Sequence, residues 1–185
     1  MAARQLPDPE LLRKLLRYDP ETGKLYWRER PAHMFCDSGR GGRFANAERW
    51  NLRWAGQEAF TTVSPRGYLM GTIFYIRLGA HRVAWAIATG HWPEYQIDHI
   101  NGRESDNRLC NLRCATPSQN SMNRRLHRNN SSGQKGVDWC NKKRRWRARI
   151  CANGTRLNLG YFRTIEAAQI AYREASKRLH KEFRR

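Results

Sequence analysis

An α+β fold built from small modules is predicted for this chain, and three observations predict it. Some segments repeat apolar residues at helical spacing, while others alternate apolar and polar residues, with turn residues between them. The last third holds three strand signals followed by one helix signal, the pattern of a three-stranded antiparallel sheet packed on one helix. The 185 residues are 39% hydrophobic, enough for several small cores and too few for one large one.

The elements follow in order. Residues 6–17 read as a short helix with Asp8 as its cap and Leu11, Leu12, Leu15 and Leu16 as one stripe. Glu21-Thr22-Gly23-Lys24 is a turn and Leu25-Tyr26-Trp27 a strand. Residues 36–43 read as loop, and Trp50, Trp54 and Phe60 as a small aromatic core. The run Gly71-Thr72-Ile73-Phe74-Tyr75-Ile76 reads as strand. His81 to Thr89 is a helix ended by Gly90. Residues 96–100 form a short strand, and a polar stretch follows through Asn111. Thr116 caps a helix with Pro117 at its first position. The apolar-free stretch 127–134 is the best domain boundary. Beyond it come strands at 136–140, 146–151 and 157–162, with Asn153-Gly154 as a tight turn, then a helix capped by Thr164. Three segments result: a helix and hairpin module at 1–49, a central domain at 50–128 and a sheet domain at 129–185.

Charge narrows the function. Lys and Arg number 35 against 16 Asp and Glu, a net of +19, and residues 131–185 alone carry 15 basic and 4 acidic residues. Such an excess suits a polyanionic partner. A membrane partner is not expected, because no apolar run approaches the ~18 residues needed to span a bilayer. The leucines of the first 17 residues are broken by Asp8, Glu10, Arg13 and Lys14, so no signal peptide is expected. The five cysteines, an odd number, fit reduced thiols in a cytoplasm. Cys110 and Cys114 lack a second pair to complete a zinc site.

The chemistry concentrates in Asp98-His99, Asn111 and Asn120, spaced 12 and 9 residues apart from His99 onward. A strand, a long loop and a helix start bring such residues together. Phosphodiester hydrolysis needs a base for water and a cation for the phosphate. Histidine, with an ordinary pKa near ~6.5, is the natural base. Asp98 and Asn120 offer two hard oxygens for one divalent ion, Mg²⁺ or Mn²⁺. Asn111 is positioned to bond backbone on both sides of the loop and so aim His99.

The stretches Asp98-His99-Ile100-Asn101-Gly102, Asp106-Asn107-Arg108-Leu109-Cys110-Asn111-Leu112-Arg113 and Ala115-Thr116-Pro117-Ser118-Gln119-Asn120 resemble the HNH homing and phage endonucleases. The lead-in His81-Arg82-Val83-Ala84-Trp85 is also similar, so the likeness spans roughly residues 50–125. The resemblance implies a ββα-metal unit with His99 as base, Asp98 and Asn120 as ligands, and Asn111 as a structural residue. It also implies a single-metal reaction leaving 5′-phosphate and 3′-hydroxyl ends. Many members have His where this chain has Asn120.

In the last module, Trp146, Ala148 and Ile150 alternate with Arg147, Arg149 and Cys151. One face is apolar and the other cationic, as a sheet entering a DNA groove requires. Lys135-Gly136-Val137, Trp146 to Ile150, Leu159-Gly160-Tyr161-Phe162 and Ala171-Tyr172 resemble the ethylene-response-factor type of DNA-binding domain. Asn158 stands where plant members often carry Trp, so plant base preferences do not transfer. Lys135, Arg147, Arg149, Arg156 and Asn158 are the expected DNA contacts, with Arg82 beside the cutting site. The expected protein is a monomeric endonuclease acting on double-stranded DNA in a cytoplasm. Two other readings stay open: a DNA-binding regulator with a relict HNH unit, and an RNA-binding accessory protein.

Overall fold

A computed structural model describes residues 5–123, 126, 129–152 and 154–183. The α+β class holds. The chain divides into two compact units, Met1–Arg113 and Cys114–Arg185. Among the described residues no helix is long and apolar enough to cross a membrane.

The first unit opens with helix α1 (Pro9–Leu15), capped by Asp8, whose side chain accepts from Glu10 N at 2.7 Å. It is shorter than the leucine stripe predicts. Leu16 turns extended and starts strand β1 (Leu16–Asp19), which pairs with β2 (Lys24–Trp27). Strand β3 (Glu58–Ala59) adds to β2. Between them lies helix α2 (Gly42–Trp54), which the sequence pattern does not announce because Phe44 and Leu52 point outward. Trp50 and Phe60 gather around Trp27, with ring centroids 5.8 and 6.4 Å away, as the expected aromatic core. Trp54 lies exposed outside it.

Strand β4 (Thr62–Val63) pairs with β5 (Leu69–Ile73), and β5 with β6 (Ile76–Gly79). The run read as one strand is thus a hairpin folded at Phe74-Tyr75. It carries neither the Asn nor the Gly that signals such a turn. Both residues adopt positive φ, a conformation costing about 1–3 kcal/mol each. Helix α3 (Ala80–Thr89) ends at Gly90 with φ 82°. Strands β7 (Gln96–His99) and β8 (Leu112–Ala115) form a two-stranded sheet, and the last two residues of β8 open the second unit.

One core serves most of the first unit. Leu12, Leu15, Leu16 and Leu25 pack with Ile73, Leu78, Val83 and Ala86. A seven-residue helix cannot persist alone, so the leucines of α1 bury against β5, β6 and α3. The segments expected at 1–49 and 50–128 share this core.

In the second unit, helix α4 (Pro117–Met122) has the predicted Thr116 cap, reinforced as a capping box by Gln119. Strands β9 (Val137–Cys140), β10 (Arg145–Ala152) and β11 (Thr155–Phe162) form an antiparallel sheet in the order β11-β10-β9. Helix α5 (Ile165–His180), capped by Thr164, covers one face, where Val137, Ala148 and Ile150 meet Ala168, Tyr172 and Ala175. Of the polar stretch 127–134, His127 and Arg128 lie outside the described residues. The rest is a bonded turn in which Ser132 Oγ lies 2.7 Å from Val137 O. Asn153 of the expected tight turn also lies outside the described residues; Ala152 pairs with Thr155 across it.

Candidate active site

Asp98 and His99 end β7, and both are 4% exposed. Burial of adjacent residues on a strand puts their side chains into opposite surroundings. Asp98 meets Arg113, whose Nε and Nη2 reach Asp98 Oδ2 at 2.8 and 2.7 Å. His99 faces the other way, into a pocket of rings and amides. Its Nε2–H donates to Oδ1 of Asn107 at 3.1 Å, and Asn107 is 1% exposed. The rings of His81 and Tyr68 lie 5.3 and 5.8 Å from the His99 ring, and 5.1 Å from each other.

The loop between β7 and β8 is closed by Asn111. Its Oδ1 accepts from Asn101 N at 2.9 Å, and its Nδ2 donates to Asp106 O at 2.7 Å. Ile100 N donates to Asn111 O at 2.9 Å. Asp106 accepts from Arg108 and Asn101, and the Arg108 guanidinium holds its carboxyl at about 2, below the usual range.

The N-terminal hairpin braces the same loop. Tyr18 Oη donates to Asn107 O at 2.7 Å, and Leu109 N donates to Pro20 O at 3.3 Å. Gly23, in the β1–β2 turn, has φ 74° and lies so close that a Cβ there would sit 2.5 Å from Arg108 N. A side chain at this position would push the loop away.

His81 stands at the start of α3, its Nδ1 buried without a hydrogen-bond partner among the described residues. Burial first, then His99 and Arg82, hold its pKa at about 3, so the ring is neutral at pH 7. Arg82 itself lies over the Trp92 ring, 5.9 Å from the centroid.

The structure therefore gathers Asp98, His99 and Asn111. Asn120 lies on α4 in the second unit, half-buried, three residues past Pro117. Among the described residues no three His, Cys, Asp or Glu side chains form a metal cluster. Three neighbours of the site escape sequence reasoning as participants: Asn107, Tyr68 and Arg113. Tyr68 lies 31 positions before His99 and carries no local signal. Asn107 stands inside the quoted motif, but only the folded loop turns its amide toward the imidazole.

The C-terminal residues fall as follows. Register sets Arg147 opposite Asp138 and Tyr161, Arg149 opposite Asn158, and Cys151 opposite Arg156. All share the face away from α5. Asp138 accepts from Arg147 Nη2 at 2.6 Å and from Arg149 Nη2 at 2.8 Å, so two of the cationic residues are charge-paired within the sheet. Arg156 and Asn158 are exposed. Lys135 Nζ donates to Met122 O at 2.5 Å, at the end of α4.

A histidine and a carboxylate ending one strand of a β-hairpin, followed by a capped helix, define a class. Residues 78–122 match the family of HNH endonucleases, and the chain belongs to that family. The likeness extends beyond this stretch in Protein 3.8 of Escherichia phage T7. The two are 35% identical over 113 residues, which cover 60% of this chain and 93% of that protein. No solved structure matches the chain.

Proposed function

We propose that this protein is a metal-dependent endonuclease that nicks double-stranded DNA, with His99 as general base. The observation that carries the reading is the setting of His99. It is buried beside Asp98 at a strand end, and Asn107 fixes its ring. Fixing the ring plane is what a base needs to meet its water in a productive direction. The neutral ring of His81 and the ring of Tyr68 exclude solvent around it without adding charge.

Asp98 and Asn120 are the proposed holders of one Mg²⁺ or Mn²⁺ ion. The donor set fits: one carboxylate and one amide oxygen suit a hard cation that keeps most of its waters. Such an ion stabilises charge on the phosphate and on the leaving oxygen. His99 accepts the proton of the attacking water. Asn111 closes the loop that carries His99, and Arg113 holds the Asp98 carboxylate in place.

The second unit supplies affinity. We assign residues 129–185 to an ethylene-response-factor type of DNA-binding domain, supported by the order of three antiparallel strands on one helix. Arg156 and Asn158 present themselves to a groove, Arg147, Arg149 and Lys135 join them, and Arg82 is assigned separately to a phosphate beside the candidate active site. The surplus of 15 basic over 4 acidic residues in this stretch supports a polyanionic partner.

The test is incubation with supercoiled plasmid. Relaxed circles are expected with Mg²⁺ or Mn²⁺ and not with chelator, and His99→Ala is expected to bind DNA but cut ~10²–10⁴-fold more slowly. Cutting in chelator, or full turnover by His99→Ala, overturns the assignment.

A further inference from the structure

The β5–β6 hairpin ends in a turn that its own residues disfavour. Phe74 and Tyr75 are the two central residues, with φ of 47° and 64°. Two-residue hairpin turns demand this left-handed region, and Asn-Gly fills it at least cost. Aromatic residues fill it poorly. The same residues are 51% and 89% exposed, so their rings gain little of the burial that ordinarily accompanies an aromatic side chain. Unfavourable backbone kept together with exposed apolar surface points to a task outside the fold.

The other end of the hairpin indicates what the rings meet. Tyr68 immediately precedes β5, and His81 follows β6 by two residues; both rings pack on His99. The hairpin therefore runs outward from the candidate base. Five strand residues span about 17 Å, the length of about five stacked base pairs. Cations flank this path: Arg77 is exposed opposite Thr72, and Arg66 is exposed in the turn between β4 and β5. Because His99 is buried, a phosphate must be brought to it, and a kinked duplex supplies that displacement.

We propose that Phe74 and Tyr75 form an aromatic wedge that inserts at a base step of duplex DNA within half a helical turn of the cut. The proposal rests on the nuclease reading given above. Every base offers a π-face to an aromatic ring, and apolar wedges between base steps unstack and bend a duplex. The wedge is sequence-tolerant, and it sets where the backbone bends toward His99.

The experiment uses the full chain with Phe74→Asn and Tyr75→Gly combined, which installs the preferred turn residues. Three quantities are measured: thermal stability, duplex affinity, and the fluorescence of 2-aminopurine placed within five base pairs of the mapped nick. The variant is expected to melt at the same temperature or higher. It should bind duplex about tenfold or more weakly, by the stacking lost per ring, nick more slowly, and lose the 2-aminopurine signal given by wild type. Phe74→Trp combined with Tyr75→Phe should keep that signal. Phe44→Ser, which removes an exposed ring on α2, should leave all three quantities unchanged. A double variant that binds, nicks and unstacks like wild type overturns the wedge. So does one that melts well below wild type, which would make the rings structural. A loss of affinity seen for single-stranded RNA but not for duplex DNA overturns it as well. Wild-type protein that binds no duplex at all overturns the nuclease reading itself, whereas normal wild-type nicking with an indifferent variant removes the wedge alone.

Discussion

Asn107 Oδ1 lies 3.1 Å from His99 Nε2, eight residues along a loop that the N-terminal hairpin holds in place. The pair ties the aim of the candidate base to a buried amide of the β7–β8 loop. Asn107→Ala should therefore slow single-turnover nicking by about tenfold or more, since small misplacement of a reacting group is costly. Duplex affinity should stay at the wild-type value. Nicking at the wild-type rate would detach the aim of His99 from Asn107.

His81 gives the protein a pH-dependent stability. Burial holds its folded pKa at about 3, below the 6.5 of the unfolded chain. Between those values the unfolded state binds the extra proton, so stability is complete above pH 6.5 and falls as pH drops. The slope for one proton is up to about 1.4 kcal/mol per pH unit. Urea unfolding from pH 7 to pH 4 measures it, and His81→Asn should flatten the profile.

Gly23 connects the two ends of the first unit. Gly23→Ala places a Cβ against Arg108 N at a position with φ 74°. The folded state should lose about 1–3 kcal/mol from backbone conformation, and nicking should fall because the loop carrying Asn107 shifts. Thermal unfolding together with a nicking assay checks both effects. A fully stable and active variant would show that the brace is dispensable.

Asp138 restrains the cationic sheet. Its single negative charge offsets one of the two positive charges of Arg147 and Arg149, so the pair should release fewer counterions on binding than two free arginines would. Asp138→Asn should tighten binding to random duplex and steepen the dependence of log affinity on log salt by up to about one unit. Salt titrations of both proteins on one random duplex decide this. An unchanged slope would mean that neither arginine reaches phosphate.

The sequence by itself determined the locally encoded features. Asp8, Thr116 and Thr164 cap their helices because a cap closes on amides within three residues. The short spacing of Asp98, His99 and Asn111 carries the expectation that one loop joins them, and Asn111 closes that loop. The apolar and cationic faces of β10 follow from alternation alone. Tertiary structure decided the pairings between elements. Asp98 with Arg113, His99 with Asn107, and Asp138 with two arginines depend on strand register and loop path, which no residue signals locally. The hairpin at Phe74-Tyr75 and the shared leucine core belong to the same class. A turn without Asn or Gly forms only because β5 and β6 are pulled together by burial of Ile73 and Leu78, and the leucines of α1 show a stripe but not the surface that will cover it. Interactions within a few residues cost little chain entropy and can be read in sequence. Those between distant segments are set by which apolar surfaces find each other when the chain collapses.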